Sequence, residues 1–355
     1  MLIPPSTIDE LQHIAEQMMM PDHKKFVDHG SYGDWTKKRN RSKLDEISLN
    51  PRLLRDTTNR DLSTTVLDRK IEFPIMCAPA GAQCFSHPDG ELATVKAAGN
   101  LGTLMALPVG SGYTIEEISD AASAPIWFQH IHYSDGISKV LLPKLKSTKF
   151  SAVMLTIDCI GPFELTDSWS HTNATRNLQL QGKMYGSLKG HEKLLDKYGD
   201  PIWEPPNITW DRLGWIRSLS GDLPLVIKGI RTVEDALMCL KYPVDGIVVS
   251  NHGGRQFDGS RASIEILPEV VDAVGDKLEI YFDSGIMSGL DVFRAIALGA
   301  RAVFVGRPIH WGLTYNGEDG VSLAMNILKA EFDKVLAYSG CTSVSAIAKE
   351  HVSIT

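Results

Sequence analysis

The run Ser250-Asn251-His252-Gly253-Gly254-Arg255-Gln256 follows the apolar stretch Gly246-Ile247-Val248-Val249. It sets an imidazole that can move a proton three residues before a guanidinium that can grip a carboxylate through two parallel hydrogen bonds. Two glycines between them soften a turn at the end of a strand. Two further ionisable side chains close apolar runs: Lys228 after Val226-Ile227, and Asp158 after Leu155-Thr156-Ile157. A base, a carboxylate to orient it and cations to hold an anion suit proton abstraction beside a carboxylate.

Chemistry at strand ends requires a scaffold that gathers strand ends on one face. Eight apolar runs read as strands: Phe73-Ala78, Thr103-Leu107, Ile126-Gln129, Ala152-Ile157, Leu225-Ile227, Gly246-Val249, Glu279-Phe282 and Ala302-Val305. Amphipathic stretches separate them, among them Gly90-Ala98, Val233-Leu240 and Gly289-Leu298, the last ending at a helix-terminating Gly299. Eight β/α alternations predict an α/β protein built as a closed parallel (β/α)8 TIM barrel. The whole chain, 1–355, reads as one such domain. A polar, helix-patterned segment occupies residues 1–70, and an unusually long connection, 159–210, follows the fourth strand. Because that connection leaves a strand's C-terminal end, it is expected to overhang the catalytic mouth as a lid.

Composition narrows the functions. A net charge of −7 argues against a general nucleic-acid binder, and Lys37-Lys38-Arg39-Asn40-Arg41 reads as a solvated helix face. Five scattered cysteines without a CxxC pair suggest neither a disulfide framework nor a zinc site, so no metal is expected and a reducing compartment fits. The sequence shows no secretory leader, no membrane-spanning apolar run and no peroxisomal Ser-Lys-Leu ending, which points to a cytoplasmic protein. Gly110-Ser111-Gly112 lacks the third glycine of a dinucleotide fingerprint.

The His252 motif, with Val226-Ile227-Lys228-Gly229, Asp283-Ser284-Gly285 and Gly306-Arg307-Pro308, resembles the FMN-dependent 2-hydroxy-acid oxidase and dehydrogenase family, of the glycolate oxidase and lactate oxidase type. Phe73-Pro74-Ile75-Met76-Cys77-Ala78-Pro79, Trp127-Phe128-Gln129, Leu155-Thr156-Ile157-Asp158 and Tyr338-Ser339-Gly340-Cys341 extend the likeness over most of the chain. The resemblance implies FMN as cofactor. Gly285, Gly306 and Arg307 would hold its phosphate end after the seventh and eighth strands, a usual barrel phosphate site, and Asp283 would be a further cofactor-binding residue. Lys228 would face the flavin's N1–C2=O edge, Gln129 and Thr156 its pyrimidine edge, and Pro79-Ala80-Gly81 and Val109 would pack near the ring. His252 would act as the base during hydride transfer to flavin N5, Asp158 would orient it, and Arg255 would bind the substrate carboxylate. The resemblance also implies a homo-tetramer or octamer, and oxygen or another electron acceptor.

Three substrate-facing side chains depart from the family pattern. Phe26 and Ile131 replace tyrosines, and Leu165 falls at or near the position of a second carboxylate-binding arginine. Each lost charged hydrogen bond costs about 1.5–3 kcal/mol, so the expected substrate is larger and less polar than glycolate or lactate. Met287 stands where an arginine usually assists the flavin phosphate. Strand alternation turns His130 and His132 toward the helical layer if Gln129 and Ile131 face the mouth, and leaves His171 in the long connection as a freer candidate. The function expected is oxidation of a 2-hydroxy acid or close analogue to the 2-oxo acid. Oxidative decarboxylation, oxidative deamination, a non-redox FMN isomerase and a non-catalytic FMN-binding protein are the alternatives.

Overall fold

In the computed structural model, the described residues are 4–354 apart from 160–180, 198, 205–207 and 222. Eight parallel strands form one sheet in which each strand from the second onward pairs with its successor: Ile75–Cys77, Ala106–Leu107, Ile126–Ile131, Phe150–Thr156, Leu225–Ile230, Gly246–Val249, Glu279–Phe282 and Ala302–Val305. The eighth pairs back to the first, and a bridge between Cys77 and Met105 closes the ring. All eight expected strands are present. The second is shorter than the apolar run suggested, and the third runs two residues longer.

The period-two alternation of strand side chains sorts the core into two clusters. Met76, Trp127, Met154, Val226, Val248, Tyr281 and Phe304 fill the barrel interior with Ala106, Ala152 and Ala302, bulky residues interdigitating with small ones. The neighbours in sequence, such as Phe128, Leu155, Ile227 and Val249, pack outward against the helices. On the third strand, Trp127 points in and Phe128 out, so Gln129 and Ile131 fall on the inner, mouth-facing side.

The N-terminal segment is helical only at Ile8–Met18, Pro21–Asp28 and Trp35–Asp45. Ile47–Leu49 pairs antiparallel with Val352–Ile354, joining the two ends of the chain. Thr64–Val66 and Arg69–Ile71 form a hairpin whose Val66 and Ile71 join the interior cluster as the barrel floor. The expectation of helix to residue 70 is therefore corrected. The β-branched Thr64-Thr65-Val66 run favours strand, and Leu67 and Asp68 both take positive φ, 44° and 61°, to turn the hairpin. Gly299 has φ +102° after the helix Gly289–Ala297, as its C-terminal position requires.

Candidate active site

A cavity of about 740 Å³ opens at the C-terminal ends of the barrel strands. Of the residues singled out from sequence, Pro79, Ala80, Gly81, Val109, Gln129, Lys228, His252, Arg255, Asp283, Gly285, Gly306 and Arg307 line it, together with Phe26 and Ile131. Thr156 does not. It sits behind Gln129, its Oγ1 accepting from Gln129 Nε2 at 2.9 Å, while Gln129 Oε1 accepts from the Val109 N–H at 2.9 Å. The hydrogen bond joins the two side chains expected at the flavin's pyrimidine edge. Leu165 and His171 lie outside the described residues.

His252 Nδ1 lies 3.0 Å from Asp158 Oδ1. The two are 94 residues apart and meet because the fourth and sixth strands end on the same rim. Asp158 is 5% exposed. Burial alone would raise its carboxyl, but the charges of His252, Lys228 and Arg231 outweigh it and hold Asp158 ionised. Occupation of Nδ1 leaves Nε2 of His252 as the nitrogen for external chemistry. His252 itself has φ +59°, a left-handed backbone sparsely used by non-glycine residues, followed by Gly253 and Gly254 at +64° and +74°. That tight turn is what the double glycine provides, and it presents the imidazole to the cavity.

Gly229 has a similar local cause. The pairing of the fifth strand with the sixth shifts register between Lys228 and Ile230, and Gly229 takes φ +111°. A Cβ there would stand 2.8 Å from Asp158 Cβ and Cγ, so only glycine lets the two strand ends approach. Lys228 Nζ pairs with Asp283 Oδ2 at 3.2 Å and donates to Ser250 Oγ at 3.0 Å. Burial opposes its charge, yet Asp283 and Asp158 overcome this and keep the ammonium protonated.

Two arginines converge on the end of the helix Pro21–Asp28. Arg255 Nη1 donates to the carbonyls of His29 at 2.9 Å and Val27 at 3.3 Å, and Arg307 Nε donates to Val27 at 3.0 Å. Both use the free carbonyls at the C-terminal end of the helix Pro21–Asp28. Burial, then the charge of Arg307, pushes the Arg255 guanidinium down to about 9, and burial lowers Arg307 as well. Two buried cations depressed in this way mark a wall short of negative charge, which a phosphate and a carboxylate would supply. With the backbone at Gly285 and Gly306 beside Arg307, and the buried Lys228 deeper in, the donor set fits FMN at one end and an acid at the other.

Sequence reasoning missed several lining residues: Tyr133, Cys159, Met184, Tyr185, Trp203 and His310. Tyr133 was within reach, because it is two residues beyond Ile131 and shares its face. Its ring packs edge-on against Trp203 at 4.7 Å and lies 6.3 Å from Tyr185. Described residues of the long connection, among them Met184, Tyr185 and Trp203, thus line the cavity. His130 and His132 both reach Ser138 Oγ at 2.9 Å in the helical layer, as alternation required. Cys159 Sγ, an Asp158 oxygen and His252 Nδ1 lie within 4.8 Å of one another, near enough to share a metal ion. Burial and Asp158 raise the Cys159 thiol well above its usual range, so it stays protonated beside the histidine.

A parallel barrel whose mouth joins a histidine–carboxylate pair, a buried lysine and two arginines defines a site for anionic ligands with a base beside them. The family model for FMN-dependent dehydrogenases matches residues 15–354. 2-Hydroxyacid oxidase 1 of Mus musculus is 40% identical over 314 residues, covering 85% of this chain and 84% of its own. The L-lactate oxidase of a Nostoc species is 35% identical, covering 97% and 96%. Among solved structures, a mandelate oxidase with 3,3-difluoro-2-hydroxy-3-phenylpropionic acid superposes with a TM-score of 0.83 at 31% identity, covering 98% of each chain. The chain belongs to the FMN-dependent dehydrogenase family.

Proposed function

We propose that this FMN-dependent 2-hydroxy-acid oxidase acts on an acid whose α-substituent is larger and less polar than that of glycolate or lactate. The observation that carries this reading is the His252–Asp158 pair sharing one cavity with Arg255, where Phe26, Val109, Ile131, Met184 and Trp203 supply apolar lining beside the polar Tyr133, Tyr185, Asp196 and Asp200. Arg255 grips the substrate carboxylate as a planar two-pronged donor. His252 Nε2 takes the proton, and Asp158 fixes the ring through Nδ1 and stabilises the imidazolium that forms. FMN, when bound, supplies the acceptor for the two electrons leaving the α-carbon. Lys228, Gln129, Gly285, Gly306 and Arg307 are the residues that would hold it, with Pro79-Ala80-Gly81 and Val109 along the ring and Asp283 keeping Lys228 in place.

Oxygen is the proposed electron acceptor, in line with the oxidase names of the relatives. A cytoplasmic location accords with five free cysteines. No described helix is long and apolar enough to cross a membrane. A homo-tetramer or octamer is the assembly that the family resemblance implies, and sedimentation of the holoenzyme tests it.

The functional reading is tested by mixing the holoenzyme anaerobically with a graded panel of 2-hydroxy acids. Bleaching of the flavin band by aromatic or long-chain members, with glycolate slower by at least tenfold, is expected. Fast bleaching by glycolate alone contradicts the reshaped pocket, and no bleaching by any acid contradicts the reaction.

A further inference from the structure

His310 lies in the first turn of the helix Arg307–Tyr338 and is 5% exposed, yet it lines the cavity. Its ring is edge-on to Phe26 with centroids 6.0 Å apart, and on the same Phe26 the Arg255 guanidinium sits 5.2 Å from the centroid. Histidine and arginine thus flank one phenylalanine at the acid end of the cavity. His310 Nδ1 is 2.7 Å from Ser86 Oγ, and Ser86 Oγ is 2.8 Å from His23 Nε2. His310 Nε2 has no hydrogen-bond partner among the described residues. Nε2 is not among the side-chain nitrogens shut away without a partner, so it opens to the cavity, where a ligand or water can take it.

The chain His23–Ser86–His310 fixes what that nitrogen offers. Burial lowers His23 to about 4, and burial, then His23, Arg255 and Arg307, lowers His310 well below its usual value, so both rings are neutral at neutral pH. The Ser86 hydroxyl has one proton and can donate to only one of the two rings, so it must accept from the other. When it donates to His310 Nδ1, the His310 proton sits on Nε2, and His23 Nε2–H donates to Ser86. When it points the other way, Nε2 becomes an acceptor. An anion held by Arg255 selects the first arrangement, because only that tautomer gives it a donor.

We propose that His310 is a substrate-binding residue, its Nε2–H donating to the carboxylate of the 2-hydroxy acid beside Arg255, with Ser86 and His23 setting the tautomer. This deepens the reading of the site as an acid-binding one and rests on it. It also gives the cavity a polar contact where Phe26 and Ile131 offer none, from a neutral group that adds no charge to a wall already carrying two arginines.

The test uses the holoenzyme and oxalate, a substrate-like dianion, with the dissociation constant read from the change in the flavin band, and FMN affinity measured in parallel. His310→Phe is expected to weaken oxalate by about tenfold, the equivalent of one neutral-to-charged hydrogen bond, while FMN affinity stays within about twofold. His310→Gln, whose amide reaches toward the Nε2 position, should recover most of the loss, and Ser86→Ala should give an intermediate loss. Oxalate binding that depends on Arg255 but not on His310 overturns this proposal alone. Weakened FMN with unchanged oxalate assigns His310 to the cofactor and also overturns it. A wild-type enzyme with no affinity for oxalate counts against the acid-binding site as a whole.

Discussion

Replacing Asp158 by Asn keeps the size and shape of the side chain and removes one charge from the pair that readies His252. The wild-type contact is a 3.0 Å hydrogen bond to Nδ1 from a carboxylate 5% exposed. A hydrogen bond to a charged group contributes about 1.5–3 kcal/mol, or roughly 10- to 150-fold in rate when it is realised only as the imidazolium forms. The Coulomb attraction at about 4 Å and an effective dielectric of 20 reaches about 4 kcal/mol, which sets an upper bound near 10³-fold. The expected loss in the anaerobic flavin-reduction rate therefore lies between about 10- and 1000-fold. The fold should survive, because Lys228 retains Asp283 at 3.2 Å. The assay is stopped-flow reduction across pH 5–9, with FMN content and thermal melting as controls. A reduction rate within twofold of wild type, with FMN bound, refutes the assignment of Asp158 as the partner of the base.

Further outcomes follow from the same geometry. Phe26→Tyr with Ile131→Tyr restores two hydroxyl donors and narrows the cavity, so kcat/KM for glycolate should rise by about 10-fold or more while bulky acids lose ground; no change in the ratio contradicts the pocket reading. Gly229→Ala forces a Cβ to within 2.8 Å of Asp158 at φ +111°, and should lower both the reduction rate and stability, the latter by about 1–3 kcal/mol in urea unfolding. Glu91, fully buried and accepting from the N–H groups of Gln83 and Gly112, is pushed up to about 7 by burial. Its folded value exceeds the unfolded one near 4.5, so its contribution is full below about 4.5 and is lost as pH rises through 7, on the order of 3 kcal/mol in all. Glu91→Gln should be less stable than wild type at pH 5 and close that gap by pH 8; a gap that does not change with pH shows that Glu91 does not titrate as stated.

The sequence was most readable where one periodicity governed. Eight apolar runs with amphipathic spacers specified the barrel, and each strand end delivered its side chain to the rim, so His252, Asp158, Lys228 and Arg255 came together from three separate motifs. Alternation also turned His130 and His132 outward correctly. Where no period operates, prediction failed for identifiable reasons. Tyr185, Met184 and Trp203 reach the cavity from the long connection after the fourth strand, whose path is set by tertiary packing. The hairpin at residues 64–71 was read as helix because a three-residue strand is too short to establish a period. The chain His23–Ser86–His310 joins residues 63 and 224 apart in sequence and carries no local motif.

The central claim is that His252 is the base. The most direct measurement is anaerobic reduction of the His252→Ala holoenzyme by an acid that rapidly bleaches the wild type. The account predicts a yellow, folded variant with FMN retained and flavin reduction slowed by about 10²- to 10⁴-fold. Reduction at the wild-type rate contradicts it.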